Sequence, residues 1–510
     1  MNTTRSEIIP NILDMLAYHR ETAHTYDSVR RGGGLVWATK PWDFKVYQSL
    51  PEVALPNPSS LLEADAWEVL RGELPVGVPV AIDLPTLAAL LGVSWNLTRE
   101  NVYGETIWYT RSYPSAGGLY PLELYLVARG IAGLEDGVYH YSLHKFVLTR
   151  LFSGDFNELV ISQCGGTWPE KPDLIGIVTN VFWRSAWKYH SRAYRYCFLD
   201  AGHAVANLVL TAHGLGLRPY LIHVFDDQVI SRLLCLDDKL EAPCLVVPIF
   251  GQRPFPGPAS KSGSAEPTSH VLASDLDTYQ DTAYPLIDQA RRITSLTGQE
   301  VRETAARWTG HAGSSDHGSP AALASGARRG RLDDFRKIPL AKALWQRRSH
   351  RQYIQRPISR ETVKQLLDAV RYALVSDTPL EAGPGLSVIV QQVTGLTPGI
   401  YRFDGSWHEV VTGDFRDATV KVCLEQGFTR RAAFVLFWHT PLTRLTAAYG
   451  PRIYRAIHLA AGVMGEKAYL AAEVLGWGAC GIGAFYDQEA QELLQLEDEE
   501  VVYALTVGPV

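Results

Sequence analysis

Methionine occurs only three times in 510 residues and cysteine six times, at 164, 197, 235, 244, 423 and 480. No two cysteines form a CxxC pair, so neither a disulfide framework nor a paired-cysteine zinc site is indicated, and a reducing cytoplasm is the expected compartment. Long hydrophobic runs are missing too. AAFVLFW (432–438) is among the longest, far short of the roughly 20 residues a membrane helix needs. The N-terminus carries Asp14, His19 and Arg20 where a signal peptide would be apolar. No excess of one charge sign exists: the net charge is −6, which gives no electrostatic case for nucleic acid. HExxH, P-loop and GxSxG patterns are absent, and no GxGxxG lies between a strand and a helix. No metal and no Rossmann dinucleotide site are therefore expected.

What is present is a repeat. A chain of this length exceeds one ordinary core. YRYCFLDAGHAVANLVLTAHGLGL (194–217) matches YRAIHLAAGVMGEKAYLAAEVLGW (454–477). Tyr194 and Tyr454, Arg195 and Arg455, Gly202 and Gly462, and Gly216 and Gly476 all stand 260 positions apart, as 454 stands to 194. The register continues through VFDDQ (224–228) and AFYDQ (484–488). Each copy reads as a strand, a hairpin, a second strand, a long helix that is apolar on most faces, a Gly-rich turn and a last strand. A helix that is apolar nearly all round is buried. If each copy buries its helix against the other, the chain is a covalent version of a homodimer. The expected divisions are an N-terminal extension (1–57) with a helix near Ile8–Thr22, copy one (58–252), a Gly/Ser/Pro/Ala-rich linker (253–335) and copy two (336–510). The piece DTAYPLIDQARRITSL within the linker could form a short helix.

The copies differ where chemistry is expected. Copy two opens with LWQRRSHRQYIQRPIS (344–359), which gathers Arg347, Arg348, Ser349, His350 and Arg351. Guanidinium groups and a hydroxyl at this spacing suit a phosphate, and they equally suit a solvated basic loop. Copy one is acidic at that place. It instead carries RSYPSAGGLYP (111–121), with more turn residues than a tight turn requires. Copy one also has Lys188-Tyr189 where copy two has Ala448-Tyr449, and it alone has Asp200 and His203. A basic, partly exposed helix start is the plain reading of residues 183–203, and a structural role is the plain reading of His203.

Taken together, RRSHR before Pro357-Ile358, RSYPSAGGLYPLELYLV before GVYHY, and GWGACGIGAFYD (476–487) resemble the nitroreductase-like flavoproteins. The similarity is greatest to the SagB/McbC-type dehydrogenases that accompany azole-forming peptide pathways. The resemblance spans residues 60–250 and 336–508 as a tandem pair. It implies an α+β, nitroreductase-like sandwich in two copies, paired within the chain around one composite FMN site. On this resemblance Arg347, Arg348, Ser349 and Arg351 would hold the phosphate and ribityl chain. Pro114, Ser115, Ala116 and Gly117 would line the isoalloxazine, and Gly481, Ile482 and Gly483 would offer a backbone N–H near N5. Some relatives supply a late Lys or Arg to the phosphate, a part for which Arg111 is the expected substitute.

The resemblance further implies that Lys188, helped by Tyr189, abstracts a proton while hydride passes to the flavin from a peptide-derived azoline. One FMN per chain is expected, because the mirror site lacks both the Arg cluster and the PSAG turn. Two alternatives stand beside this. One is an NAD(P)H-dependent nitro- or quinone reductase, and the other is a non-catalytic flavin-binding partner in an assembly. The expected substrate is a small molecule or a peptide. The pseudo-dimer could be a monomer or could pair further.

Overall fold

The computed structural model describes residues 14–30, 34–58, 62–73, 81–103, 106–166, 171–251, 284–310, 334–371, 374–379 and 382–510. The part of the expected N-terminal helix before Asp14 and most of the expected linker lie outside the described residues.

Each copy is built on one large antiparallel sheet, the first with an added edge strand from the N-terminal extension. The first runs, edge to edge, Glu52–Ala54, Val147–Ser153, Gly137–Ser142, Leu122–Ala128, Leu174–Val181, Glu241–Phe250 and Arg218–Pro219. The second repeats this order as Trp407–Thr412, Gly399–Phe403, Gly385–Val390, Phe434–Thr440, Glu500–Pro509 and Trp477–Ile482. LELYLVA (122–128) is buried at every residue, although an antiparallel strand commonly leaves one face wet. Its alternate residues enter different layers. Leu124 and Leu126 join the main core with the central helix, whereas Tyr125 and Val127 pack with Phe156, Val160, Ile230 and Leu233 on the outer side. A strand covered on both faces has no use for polar alternation, and its one charged residue, Glu123, is buried against Arg184 at 2.6 Å and His140 at 2.9 Å.

The repeat-defining helices are Ala193–Gly214 and Ile453–Leu475, and both are buried over most of their length. They cross at the matched glycines. A Cβ on Gly202 would lie 2.1 Å from the Leu459 carbonyl oxygen, and one on Gly462 would lie 2.1 Å from that of Leu199. Only hydrogen fits at either position. The pairing is locked by reciprocal ion clusters. Arg192 and Arg195 of copy one donate to Asp487 of copy two at 2.8 and 2.7 Å, and Arg452 and Arg455 donate to Asp227 at 2.7 and 2.8 Å. Burial pushes both carboxyls up, but the flanking guanidiniums outweigh it and hold them below the ordinary Asp value.

Two short helices complete the clamps. In Met15–Glu21, Asp14 caps the N-terminus by accepting from the Ala17 amide at 2.8 Å. Just beyond it, Thr22 accepts from Arg195 and the His24 amide donates to Asp487 at 2.8 Å. Pro285–Thr294, within the expected linker, repeats this: Thr294 accepts from Arg455 at 2.8 Å and the Leu296 amide donates to Asp227 at 2.8 Å. Each copy thus has an N-terminal helix threaded into an arginine–aspartate clamp. Among the described residues no helix is long and apolar enough to cross a membrane.

Gly202→Ala is expected to destabilise the protein by about 3 kcal/mol, since the overpacking is against backbone that cannot rotate away. Urea unfolding of the variant measures this. Asp487→Asn should cost about 3–5 kcal/mol in the same assay, because it strands two buried arginines.

Candidate functional site

The turn after Arg111 is shaped by two left-handed glycines, Gly117 at φ +64° and Gly118 at φ +66°. A Cβ on Gly117 would lie 2.7 Å from the Tyr189 hydroxyl and 3.0 Å from Lys188 Nζ. The glycine is therefore needed twice, for its backbone angle and for the two side chains packed over it. Lys188 and Tyr189 end the helix Phe182–Tyr189. His190 follows at φ +49° and ψ −139°, where copy two has Gly450 at φ +81°. A non-glycine residue there costs of order 1–3 kcal/mol, a strain that clusters at functional sites.

Lys188 is half-buried, and its pKa is lowered first by that burial and then by Arg351, which approaches from copy two. Tyr189 is more deeply buried, and its phenol is pushed well above the ordinary value. Its ring meets Tyr196 edge-on at 4.8 Å. Tyr196 in turn sits where a Cβ on Gly483 would lie 2.7 Å from Cε1. A continuous path, Gly117–Tyr189–Tyr196–Gly483, thus joins the turn of one copy to the turn of the other. On the copy-two side, the Tyr469 hydroxyl makes two hydrogen bonds: the Gly481 amide donates to it at 2.6 Å, and it shares one with Ser349 Oγ 2.9 Å away. Ile482 points its side chain into the outer core, so only its backbone borders the site. Pro114 and Ala116 are half-buried beside the turn.

Other expected residues are directed elsewhere. Alternation along the extended segment 347–351 sends neighbouring side chains to opposite sides. Arg347 is buried in the seam, where it donates to the Ser112 carbonyl at 3.0 Å and lies 3.6 Å from Glu466. Arg348 lines a cavity of about 570 Å³ with Arg99, Arg336, His350 and Trp477. Arg111 is held away by Tyr113 and by the Asp43 carbonyl, to which it donates at 3.0 and 2.7 Å. The N-terminal extension thus engages the expected substitute cation.

Several residues at the site carried no motif: Tyr196, Tyr469, Tyr503, Glu466 and the cavity arginines Arg99 and Arg336. Asp200 and His203 did carry a signal, since copy two has Ala460 and Val463 there.

The corresponding stretch of copy one is packed differently. Leu221, Ile222 and His223 stand where copy two has Gly481, Ile482 and Gly483. The Asp377 carboxylate accepts from the His223 and Val224 amides at 2.9 Å each. Trp308, only 2% exposed, donates from Nε1 to the Tyr449 carbonyl at 3.0 Å and faces His223. No acidic side chain caps the Gly483 and Ala484 amides among the described residues.

This geometry agrees with what the chain is similar to. The family model described as "Nitroreductase family" matches residues 79–251 and 344–509. The microcin B17-processing protein McbC of Escherichia coli is 30% identical over 147 residues, 28% of this chain and 54% of McbC. The trifolitoxin-processing protein TfxB of Rhizobium leguminosarum bv. trifolii is 29% identical over 211 residues, 39% of this chain and 56% of TfxB. The chain therefore spans about half the length of these two relatives. A crystal structure of a protein assigned as a nitroreductase from Anabaena variabilis superposes with a TM-score of 0.73 at 26% identity, covering 97% of this chain and 99% of that one. The duplicated sheets, the crossed helices and the two matched segments show that this chain belongs to the nitroreductase family, as two such domains in tandem.

Proposed function

We propose that the chain binds one FMN in the seam between its copies and uses it to dehydrogenate a peptide-derived azoline. The observation that carries this reading is the placement of Lys188. It lies over the Gly117 turn of its own copy and within electrostatic reach of Arg351 of the other, and the second copy replaces it with Ala448. The similarity to two peptide-processing proteins supports the substrate class.

The residues present fit such a cofactor. Gly117 and Gly483 let Tyr189, Lys188 and Tyr196 pack directly on backbone from the two copies. Arg348 has a buried Nε without a hydrogen-bond partner at the cavity shared with Arg99, Arg336 and His350. The three guanidiniums there suit a phosphate, although Glu473 also lines the cavity. Bound FMN would supply the two-electron acceptor.

The remaining steps belong to the chain. Lys188 must be neutral to take a proton from the heterocycle, and burial together with Arg351 enlarges that fraction at a given pH. Tyr189, with its raised pKa, stays protonated and keeps its hydroxyl as a donor for the substrate. Trp187, next to the base in sequence, packs edge-on against the exposed Trp37 at 5.4 Å. The substrate loses one proton to Lys188 and its second hydrogen, with two electrons, to the acceptor.

Heat-released flavin, quantified by absorbance, is expected at one FMN per chain. Two per chain would mean that Asp377 and Trp308 do not close the mirror site. Lys188→Ala should bind FMN normally and slow flavin bleaching by a thiazoline-bearing peptide by about 10²–10⁴-fold in stopped-flow absorbance. Unchanged bleaching would remove Lys188 from the mechanism, and rapid bleaching by NADPH with no response to the peptide would favour a reductase. The bleaching rate should rise with pH along a limb below the ordinary lysine value of 10.5. Arg351→Gln, which removes a neighbouring positive charge, should move that limb to higher pH.

A further inference from the structure

Asp200 lies on the copy-one central helix, one turn before His203, and copy two has Ala460 in its place. The carboxylate is buried and reaches the Gly117 turn. Ser115 Oγ donates to Oδ2 at 2.5 Å and the Ala116 amide donates to Oδ1 at 3.1 Å. Ser115 Oγ is already an acceptor, taking the Tyr120 amide at 2.8 Å. Both carboxylate oxygens thus act as acceptors, an arrangement that favours the ionised form. A proton on Oδ2 would compete with the Ser115 hydroxyl and loosen the turn.

No cation pairs with Asp200 among the described residues. The titratable groups around it are Tyr120 from the turn, Tyr189 from the helix before, Tyr503 from the last strand and Cys197 on its own helix. None supplies positive charge. Burial accordingly raises the carboxyl to about 7. For a raised carboxyl the stability penalty is absent below the unfolded value near 3.8. It grows as pH rises from there and is complete above the folded value. A residue retained at such a cost is commonly kept for function.

We propose that Asp200 is a positioning residue, whose ionised side chain fixes the Ser115–Gly117 turn in the form that receives the cofactor beside Lys188. The inference rests on the flavin reading above. It predicts opposite effects on stability and on binding, which a merely structural residue would not give.

The test is Asp200→Asn, which keeps one acceptor oxygen and removes the charge. FMN dissociation constants are measured by fluorescence quenching at pH 5.5 and 8.5, as the ratio of variant to wild type, so that titration of the phosphate cancels. At pH 8.5 the variant should bind FMN about tenfold more weakly, the size of one charged hydrogen bond, yet melt at a higher temperature than wild type. At pH 5.5, where wild-type Asp200 is largely protonated, the two dissociation constants should converge to within about twofold. A ratio that is the same at both pH values, or equal binding at pH 8.5, overturns the role of Asp200. Ser115→Ala, which removes the donor and leaves the charge, gives the same comparison if the Asn variant does not fold. Wild-type protein that binds no FMN at either pH would overturn the flavin reading itself, and this inference with it.

Discussion

The central helices touch backbone to backbone at Gly202 and Gly462, and everything placed at the seam depends on that contact. A single methyl at either glycine would push the copies apart, and the separation would be felt at each structure that bridges them. The arginine–aspartate clusters, Arg192 and Arg195 with Asp487 and Arg452 and Arg455 with Asp227, have no slack to follow such a shift. Buried charges tolerate only good geometry, because attraction must offset desolvation. The clusters therefore fix the register of the pairing more than they add to its strength.

Symmetric machinery surrounds an asymmetric centre. The clamps, the helix crossing and the sheet order are duplicated almost residue for residue. At the turns the copies part. Gly483 leaves room for Tyr196, while its counterpart His223 is covered by Trp308, and Asp377 takes the amides on that side. A covalently joined pair can lose one half of each site without losing the other, because the two halves that remain meet in the same seam. This freedom is closed to a true homodimer, whose two sites change together.

The duplicated register made much of the fold legible. Periodicity and the 260-residue offset identify the strands, the long helices and their mutual burial. They do so because apolar patterning reflects which faces must leave water. The role of Pro285–Thr294 was not legible. Its apolar content is modest, and its partners Arg455 and Asp227 lie far away in the chain. At the candidate site the residue types were readable and their directions were not. Arg347 turns into the seam toward Glu466, Arg348 turns out to a cavity, and Arg111 is taken by Asp43 and Tyr113. Spacing alone does not say which side of an extended segment faces a ligand.

The sequence by itself determined that there are two copies, that each buries a helix, and that Lys188, the PSAGG turn and the RRSHR segment occur once each. Those facts follow from local composition and from comparison of the chain with itself. Only the tertiary structure decided that Lys188 and Tyr189 pack on the Gly117 turn, that Asp200 accepts hydrogen bonds from Ser115 and Ala116, and that Trp308 faces His223. Such meetings depend on the distance of approach between two helices, which is set by atoms in contact and leaves no periodic trace in the order of residues.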